Sequence, residues 1–449
     1  MTNKMGTMEP KKLVLSMSAP IAAAMLISAL YNFVDSAYVA NYSDQALIAL
    51  SLCAPIQMLM IALACGTAAG FNTVLSQALG SQNMAKARQT YLCGLLLSWI
   101  NGLIFALFGW FGSRAFLSLF TDIPAILDQG EAYLKICCLF SFCIFVEITY
   151  ERITQAHGDA IGNLVMQGSG ALINIILDPF LIFGWFGLPS LGVTGAALAT
   201  IIGQFVGMLV GIGIVHYRKI EFTKTHWKDF RFSWSLIREI YRIGIPAILM
   251  QAITSFMTLI LNGLLGLFSL TAISAFNIIS RLQQLVYMVV QGLTNALIPM
   301  CAFNYGARAN ERILQIVSFS LKLSIGIMLC GCLLFEAIPE ALFGLFNADE
   351  QMLAIGVPAL RIISLSFVFA GISMVLCSVF QALNHPMPSL IITLLRQPVL
   401  LVPLLWILAI CFGLQASWWS FVISEVFCAI LSWRLWKKIE VSAGLHSAK

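Results

Sequence analysis

Residues 92–111 read LCGLLLSWINGLIFALFGWF, twenty residues without a formal charge. At a rise of about 1.5 Å per residue they make a helix of about 30 Å, the thickness of a bilayer's hydrocarbon core. The run lacks the alternation of period two that a membrane β-strand needs, so it reads as a spanning helix. Eleven similar stretches flank it, giving expected spans near 14–40, 46–79, 92–113, 131–156, 163–185, 190–215, 239–262, 272–304, 317–337, 357–382, 390–413 and 416–436. The spans near 46–79 and 272–304 exceed one crossing and are expected to tilt or to run past the membrane. The predicted class is an all-α polytopic membrane protein of twelve transmembrane helices.

Composition agrees. The 449-residue chain is 60% hydrophobic and 10% charged, against about 25% charged in soluble domains. The net charge of +5 does not point to nucleic acid, because the basic residues lie between the apolar runs or at the chain ends. They occupy alternate gaps: Lys86 and Arg88, then Arg218 to Arg242, then Arg308 and Arg312, then Arg434 to Lys438. The intervening gaps hold Asp44, Asp122 and Asp128, or Glu336, Glu340, Asp349 and Glu350. Positive residues stay inside, so both termini and the central loop are expected in the cytoplasm, with the chain a multi-pass protein of the cell's inner (plasma) membrane. The twelve cysteines lie mostly within apolar runs, where they act as small apolar residues. No His/Cys cluster has metal spacing, and no Walker motif or phosphate-binding glycine loop is present, so the expectation is neither metal nor cofactor. His157 with Asp159 is the nearest approach to a reactive pair, and it reads as a turn; no enzyme is expected.

The longest polar interruption, about 217–238, divides the chain into like halves. Pro20/Pro246, Gln57/Gln283, Gly66/Gly292, Gly80/Gly306, Gly130/Gly356 and Gln155/Gln381 all share an offset of 226. Six spans per half give both halves the same orientation, a parallel repeat common in transporters. The expected division is an N-lobe over 1–216 (helices 1–6), a cytoplasmic linker over 217–238 and a C-lobe over 239–449 (helices 7–12), pseudo-symmetric lobes.

The repeat also separates scaffold from function. Asp35, Asn174 and Asp178 are matched at that offset by Leu261, Leu400 and Leu404, so the acids belong to the N-lobe alone. An intramembrane carboxylate costs a few kcal/mol or more and faces a watery cavity. Asn174 and Asp178 share a helix face, as do Asn32 and Asp35. Held away from bulk water, such groups can gain and lose a proton near neutral pH. Asn32, Gln57, Gln251, Arg281 and Gln283 are candidate cavity-lining residues. Glu425 is a further mid-span acid, whereas Glu151, Arg152 and Arg396 are expected to snorkel toward an interface. Gly203, Gly207 and Gly211 form a small-residue stripe for close helix packing.

Three N-half stretches carry a resemblance: Gly66 to Gly70 with Ser76-Gln-Ala-Leu-Gly80, Asn174-Ile-Ile-Leu-Asp178-Pro179, and Leu191-Gly-Val-Thr-Gly-Ala-Ala-Leu-Ala-Thr200. The second half adds Gly292-Leu-Thr-Asn-Ala-Leu-Ile-Pro299 and Asn304-Tyr305-Gly306-Ala. Together they resemble the multidrug and toxic compound extrusion (MATE) family, proton-coupled bacterial and archaeal branch, over essentially the whole chain. The resemblance implies a two-lobed exporter of amphiphilic, often cationic, compounds in exchange for protons or sodium. It also implies an N-lobe coupling network, matched here by Asp35, Asn174, Asp178 and Tyr133. The sodium-coupled pattern has acids on helices seven and ten, where this chain offers Gln251 and no acid at all. An N-lobe site at Asp35 and Asp178 could accept sodium as well as a proton.

The expected function is therefore multidrug efflux by cation antiport with alternating access, a proton being preferred to sodium. Its partners would be small-molecule drugs or toxic compounds, the coupling ion and membrane lipids. The alternative is a lipid-linked oligosaccharide flippase of the same superfamily, which calls for a more basic cavity than Arg281 and Arg396 supply.

Overall fold

The computed structural model describes residues 3–187, 189–346, 348–442 and 444–445, which contain helices and no strands. In chain order the α-helices are α1 (Lys4–Thr7), α2 (Pro10–Tyr42), α3 (Asp44–Gly80), α4 (Met84–Leu117), α5 (Pro124–Leu139) and α6 (Phe142–His157). There follow α7 (Ala160–Phe183), α8 (Val193–Tyr217), α9 (Trp234–Gly266), α10 (Leu270–Gly306), α11 (Asn310–Ala337), α12 (Pro339–Gly344), α13 (Glu350–Ser364) and α14 (Phe367–Ala382). The last are α15 (Pro386–Leu394), continued through a π-helical turn (Leu395–Val399) into α16 (Leu401–Phe412), then α17 (Leu414–Ser417) and α18 (Trp419–Ser442).

Ten helical spans among the described residues are long and apolar enough to cross a membrane, and two bent pairs, α5 with α6 and α13 with α14, bring the number to twelve. The bends are 43° and 48°. Each break holds a buried serine whose hydroxyl bonds a backbone carbonyl: Ser141 to Gly102 at 3.1 Å and Ser366 to Ile363 at 2.6 Å. Ser366 bonds three residues back in its own span, the kind of side-chain competition that bends a helix, whereas Ser141 bonds across to α4. Helices α3 and α10 are each 37 residues long, about 55 Å at 1.5 Å per residue, well beyond a single hydrocarbon core.

The repeat extends to element boundaries. Helices α3 and α10 both start and end 226 residues apart, and α4/α11, α5/α13, α7/α15 and α8/α18 begin at that same spacing. Equivalent caps and breaks therefore recur in both halves, and each half makes a lobe of six spans.

Two compact units result: Ala23–Gly244, and Met1–Ala22 together with Ile245–Lys449. These bounds differ from a division at 216 and 239, for local reasons. The segment 217–238 is fastened to α4: Phe222 is buried beside Tyr91 with ring centroids 6.2 Å apart. Gln89 donates to the Asp229 carbonyl at 2.8 Å and accepts from the Arg231 N–H at 3.0 Å. At the other end of the chain, Arg312 donates to the carbonyls of Met5 (3.0 Å) and Met8 (2.8 Å), and Asn304 donates to Met5 (3.3 Å). Those bonds hold the N-terminal residues to α10 and α11.

Within the Ala23–Gly244 unit, the glycine stripe lets α7 and α8 touch. A Cβ on Gly203 would lie 2.7 Å from the Gly170 carbonyl oxygen and 3.2 Å from the Asn174 side chain. Gly203→Leu is thus expected to separate the helices at a cost of about 1–3 kcal/mol or more. Gly213, one helical stretch on, has open space around it and serves as the control. Thermal unfolding in detergent should drop by several degrees for Gly203→Leu and hardly at all for Gly213→Leu; equal melting of the two variants would contradict this account of the stripe.

Candidate functional site

Helix α7 starts cleanly. Gly158 takes a left-handed φ of 89°, and Asp159 caps the helix by accepting from the Gly162 N–H at 3.1 Å while pairing with Arg218 at 3.1 Å. The His157–Asp159 stretch is therefore a helix-starting turn. From that start, Asn163, Met166, Gly170, Asn174 and Asp178 recur at helical spacing on the buried face.

Asp178 is fully buried and Asn174 nearly so. In the amide orientation that satisfies both ends, Asn174 Nδ2 donates to Asp178 Oδ2 at 3.3 Å and Asn174 Oδ1 accepts from the Thr200 backbone N–H at 3.1 Å. Asp35, on α2, is 8% exposed, and its Oδ1 has no hydrogen-bond partner. It lies within electrostatic reach of both Asp178 and Tyr133. Tyr133 is buried on α5, and its hydroxyl accepts from Gln57 Nε2 at 2.9 Å. The structure thus brings Asp35, Asn174, Asp178 and Tyr133 into one neighbourhood, with Gln57 attached to it from α3.

The other cavity candidates are not part of that cluster. Asn32 is exposed and donates to the Ser28 carbonyl at 2.8 Å. Gln251 and Arg281 are exposed on α9 and α10 of the other unit, and Gln283 is half-buried near Tyr287.

Two acids on α6 add to the Ala23–Gly244 unit. Glu147 is buried against α7 and α8, and Glu151, one turn further, is buried as well, with Arg152 and Gln167 in its surroundings. Glu151 does not snorkel, contrary to expectation. Beside it runs a chain of bonds from Arg152 Nη1 to Gln155 Oε1 (2.8 Å) and from Gln155 Nε2 to Asn163 Oδ1 (2.7 Å). These amides absorb polarity that would otherwise have to reach an interface. Glu147 was legible as one of two acids four residues apart inside an apolar run; Thr200 carried no signal of its own.

Arg396 also departs from the snorkelling expectation. It sits in the π-helical turn and meets Glu425 of α18 at 2.5 Å, with side chains 19% and 9% exposed. Glu425 is thereby a paired acid, while none of Asp35, Asp178 and Glu147 forms a salt bridge among the described residues.

The chemistry available at the first cluster follows from its donors. Carboxylate, amide and hydroxyl oxygens with no fixed cation can take a proton or a hard monovalent cation, and lose it again. No group of three or more His, Cys, Asp or Glu side chains suited to a metal ion occurs among the described residues.

Comparison with known proteins places this geometry in context. The family model MatE matches residues 20–180 and 246–407, one copy in each half. The multidrug export protein MepA of Staphylococcus aureus (strain bovine RF122 / ET3-1) is 27% identical over 428 residues, covering 93% of this chain and 92% of the relative. A solved outward-facing multidrug resistance MATE family transporter of the MOP superfamily superposes with a TM-score of 0.91 at 23% identity, covering 98% of each chain. A MOP superfamily transporter from Pyrococcus furiosus, described by a binding pocket of reverse polarity, superposes with a TM-score of 0.89 at 23% identity over 100% of this chain and 99% of the other.

Proposed function

The chain belongs to the MATE family, and on that premise we propose that it exports amphiphilic, cationic compounds across the plasma membrane in exchange for a cation, a proton before sodium. The observation that carries this reading is the Asp35–Asp178 neighbourhood: two buried acids in one unit, one bonded to Asn174, neither neutralised by a basic side chain. Their equivalents in the other half are leucines, so the coupling site is asymmetric although the scaffold is repeated.

In this reading the two six-helix lobes alternate access, and both termini face the cytoplasm. Drug binds while Asp35 and Asp178 are ionised. After reorientation they take up protons from outside, which changes the bonding of Asn174 and Tyr133 and expels the drug. Proton and drug oppose one another's binding, and that linkage is antiport. Exchange of one proton for one monovalent drug cation moves no net charge. Each further proton adds about 2.3 kcal/mol per 100 mV of membrane potential.

A flippase for lipid-linked sugars would need cations free to meet a pyrophosphate. Arg396 is engaged by Glu425, which leaves Arg281 of the two cations named for such a cavity, and that shortage of free basic side chains favours export.

Ethidium efflux from reconstituted vesicles, with proton and sodium gradients imposed separately, tests the proposal. Acceleration by an inward proton gradient alone is expected. Efflux indifferent to both gradients would overturn ion coupling, and acceleration by sodium alone would reassign the ion.

A further inference from the structure

We infer that Glu147 is a third proton-carrying group of this unit, standing between the Asp35–Asp178 site and the buried polar group formed by Glu151 with the Arg152–Gln155–Asn163 chain. The inference rests on the antiport reading above and adds a route to it.

Its ground is position. Glu147 is 8% exposed and projects from α6 onto the glycine faces of α7 and α8. A Cβ on Gly207 would lie 2.7 Å from its carboxyl carbon, and a Cβ on Gly170 would lie 3.7 Å from Oε1. The absence of side chains at these two positions therefore gives the carboxyl group its seat. Gly170 lies seven residues past Asn163 and eight before Asp178, about 10 and 12 Å along the helix at 1.5 Å per residue. Helix α8 gives the same register, because Gly207 lies seven residues from Thr200, again about 10 Å. Glu147 is thus midway between two polar clusters that α7 holds at its opposite ends.

A second element joins the gap. Tyr31 of α2 is within electrostatic reach of Glu147, Asp35 and Asp178 together. The titratable groups acting on Glu147 are Glu151 and Cys143 from its own helix and Tyr31 from α2. Helices α7 and α8 meet its carboxyl group with Gly170 and Gly207. None of these groups is a cation, so a proton is the means by which this buried carboxyl can lose its charge. The proton leaving Asp178 or Asp35 passes to the Glu147 carboxylate, and from there to Glu151 and the bulk, each donor returning to its ionised form.

The test uses the full-length protein in liposomes, with ethidium as probe. Glu147→Gln is expected to lower efflux driven by a pH gradient by about 100-fold, the low end of what a positioned proton-transfer group contributes. Ethidium binding, and exchange of ethidium for ethidium without a gradient, should stay near parent levels, since neither requires net proton movement. Full pH-driven efflux in Glu147→Gln overturns the inference alone. Loss of exchange along with efflux also overturns it, by making Glu147 a structural residue. If the parent protein itself ignores the proton gradient, the coupling reading and this inference fall together.

Discussion

Asp35→Asn should leave a folded, drug-binding protein whose pH-driven ethidium efflux in proteoliposomes is about 100-fold below that of the parent, near the upper end of typical coupling free energies. The substitution is nearly isosteric, and Asp35 Oδ1 has no hydrogen-bond partner to lose. Melting should accordingly shift little, by less than about 1 kcal/mol in equivalent stability. What disappears is the capacity to exchange a proton. Asp178→Asn is a less clean variant, because Asp178 also accepts from Asn174, so it removes the proton and disturbs the amide that reaches Thr200. Both variants are expected to abolish coupling, but only Asp178→Asn should also alter stability. Retention of full pH-driven transport in Asp35→Asn would exclude Asp35 from the mechanism.

The first cluster could be read from sequence because a charge in an apolar run is costly wherever the run folds. Asp35, Asn174 and Asp178 are conspicuous for that reason, and the offset of 226 removes positions that serve the scaffold alone. The same offset anticipates helix starts, as α7 and α15 illustrate. Pairings across helices are different in kind. Gln57 and Tyr133 lie 76 residues apart, and nothing local to either residue signals the bond. Arg396 reads as a snorkelling residue until the π-helical turn and Glu425, 29 residues on, are brought together. The bends in the spans near 131–156 and 357–382 were hidden for a related reason, since the sequence stays apolar through Phe140–Ser141 and Leu365–Ser366 although the helix breaks there. The segment 217–238 is polar enough to read as a plain linker, yet Ile220, Phe222 and Leu236 are buried in the core beside α4 and anchor it. Burial depends on one face of a residue's surroundings, whereas composition averages over all of them.

The Arg396–Glu425 pair carries the largest expected stability effect, and its sign depends on which partner is removed. Both side chains are largely withdrawn from solvent, so each ion depends on the other for the electrostatics that water would have supplied. Glu425→Ala leaves a guanidinium that cannot shed its charge, and the expected loss is about 3–5 kcal/mol. Arg396→Met leaves a carboxyl group that can discard its charge by binding a proton, so its loss should be the smaller of the two. Replacing both, Arg396→Met with Glu425→Leu, removes both desolvation penalties and should recover to within about 1 kcal/mol of the parent or exceed it. A double-mutant cycle on denaturant unfolding in detergent measures the coupling directly. Additive losses would show that the pair is solvated in the folded state and its burial energetically idle. The same double variant separates packing from transport: if Arg396 and Glu425 only hold α18 against the π-helical turn, ethidium efflux should persist in it, because the proposed proton route runs through Asp35, Asp178 and Glu147 in the other unit.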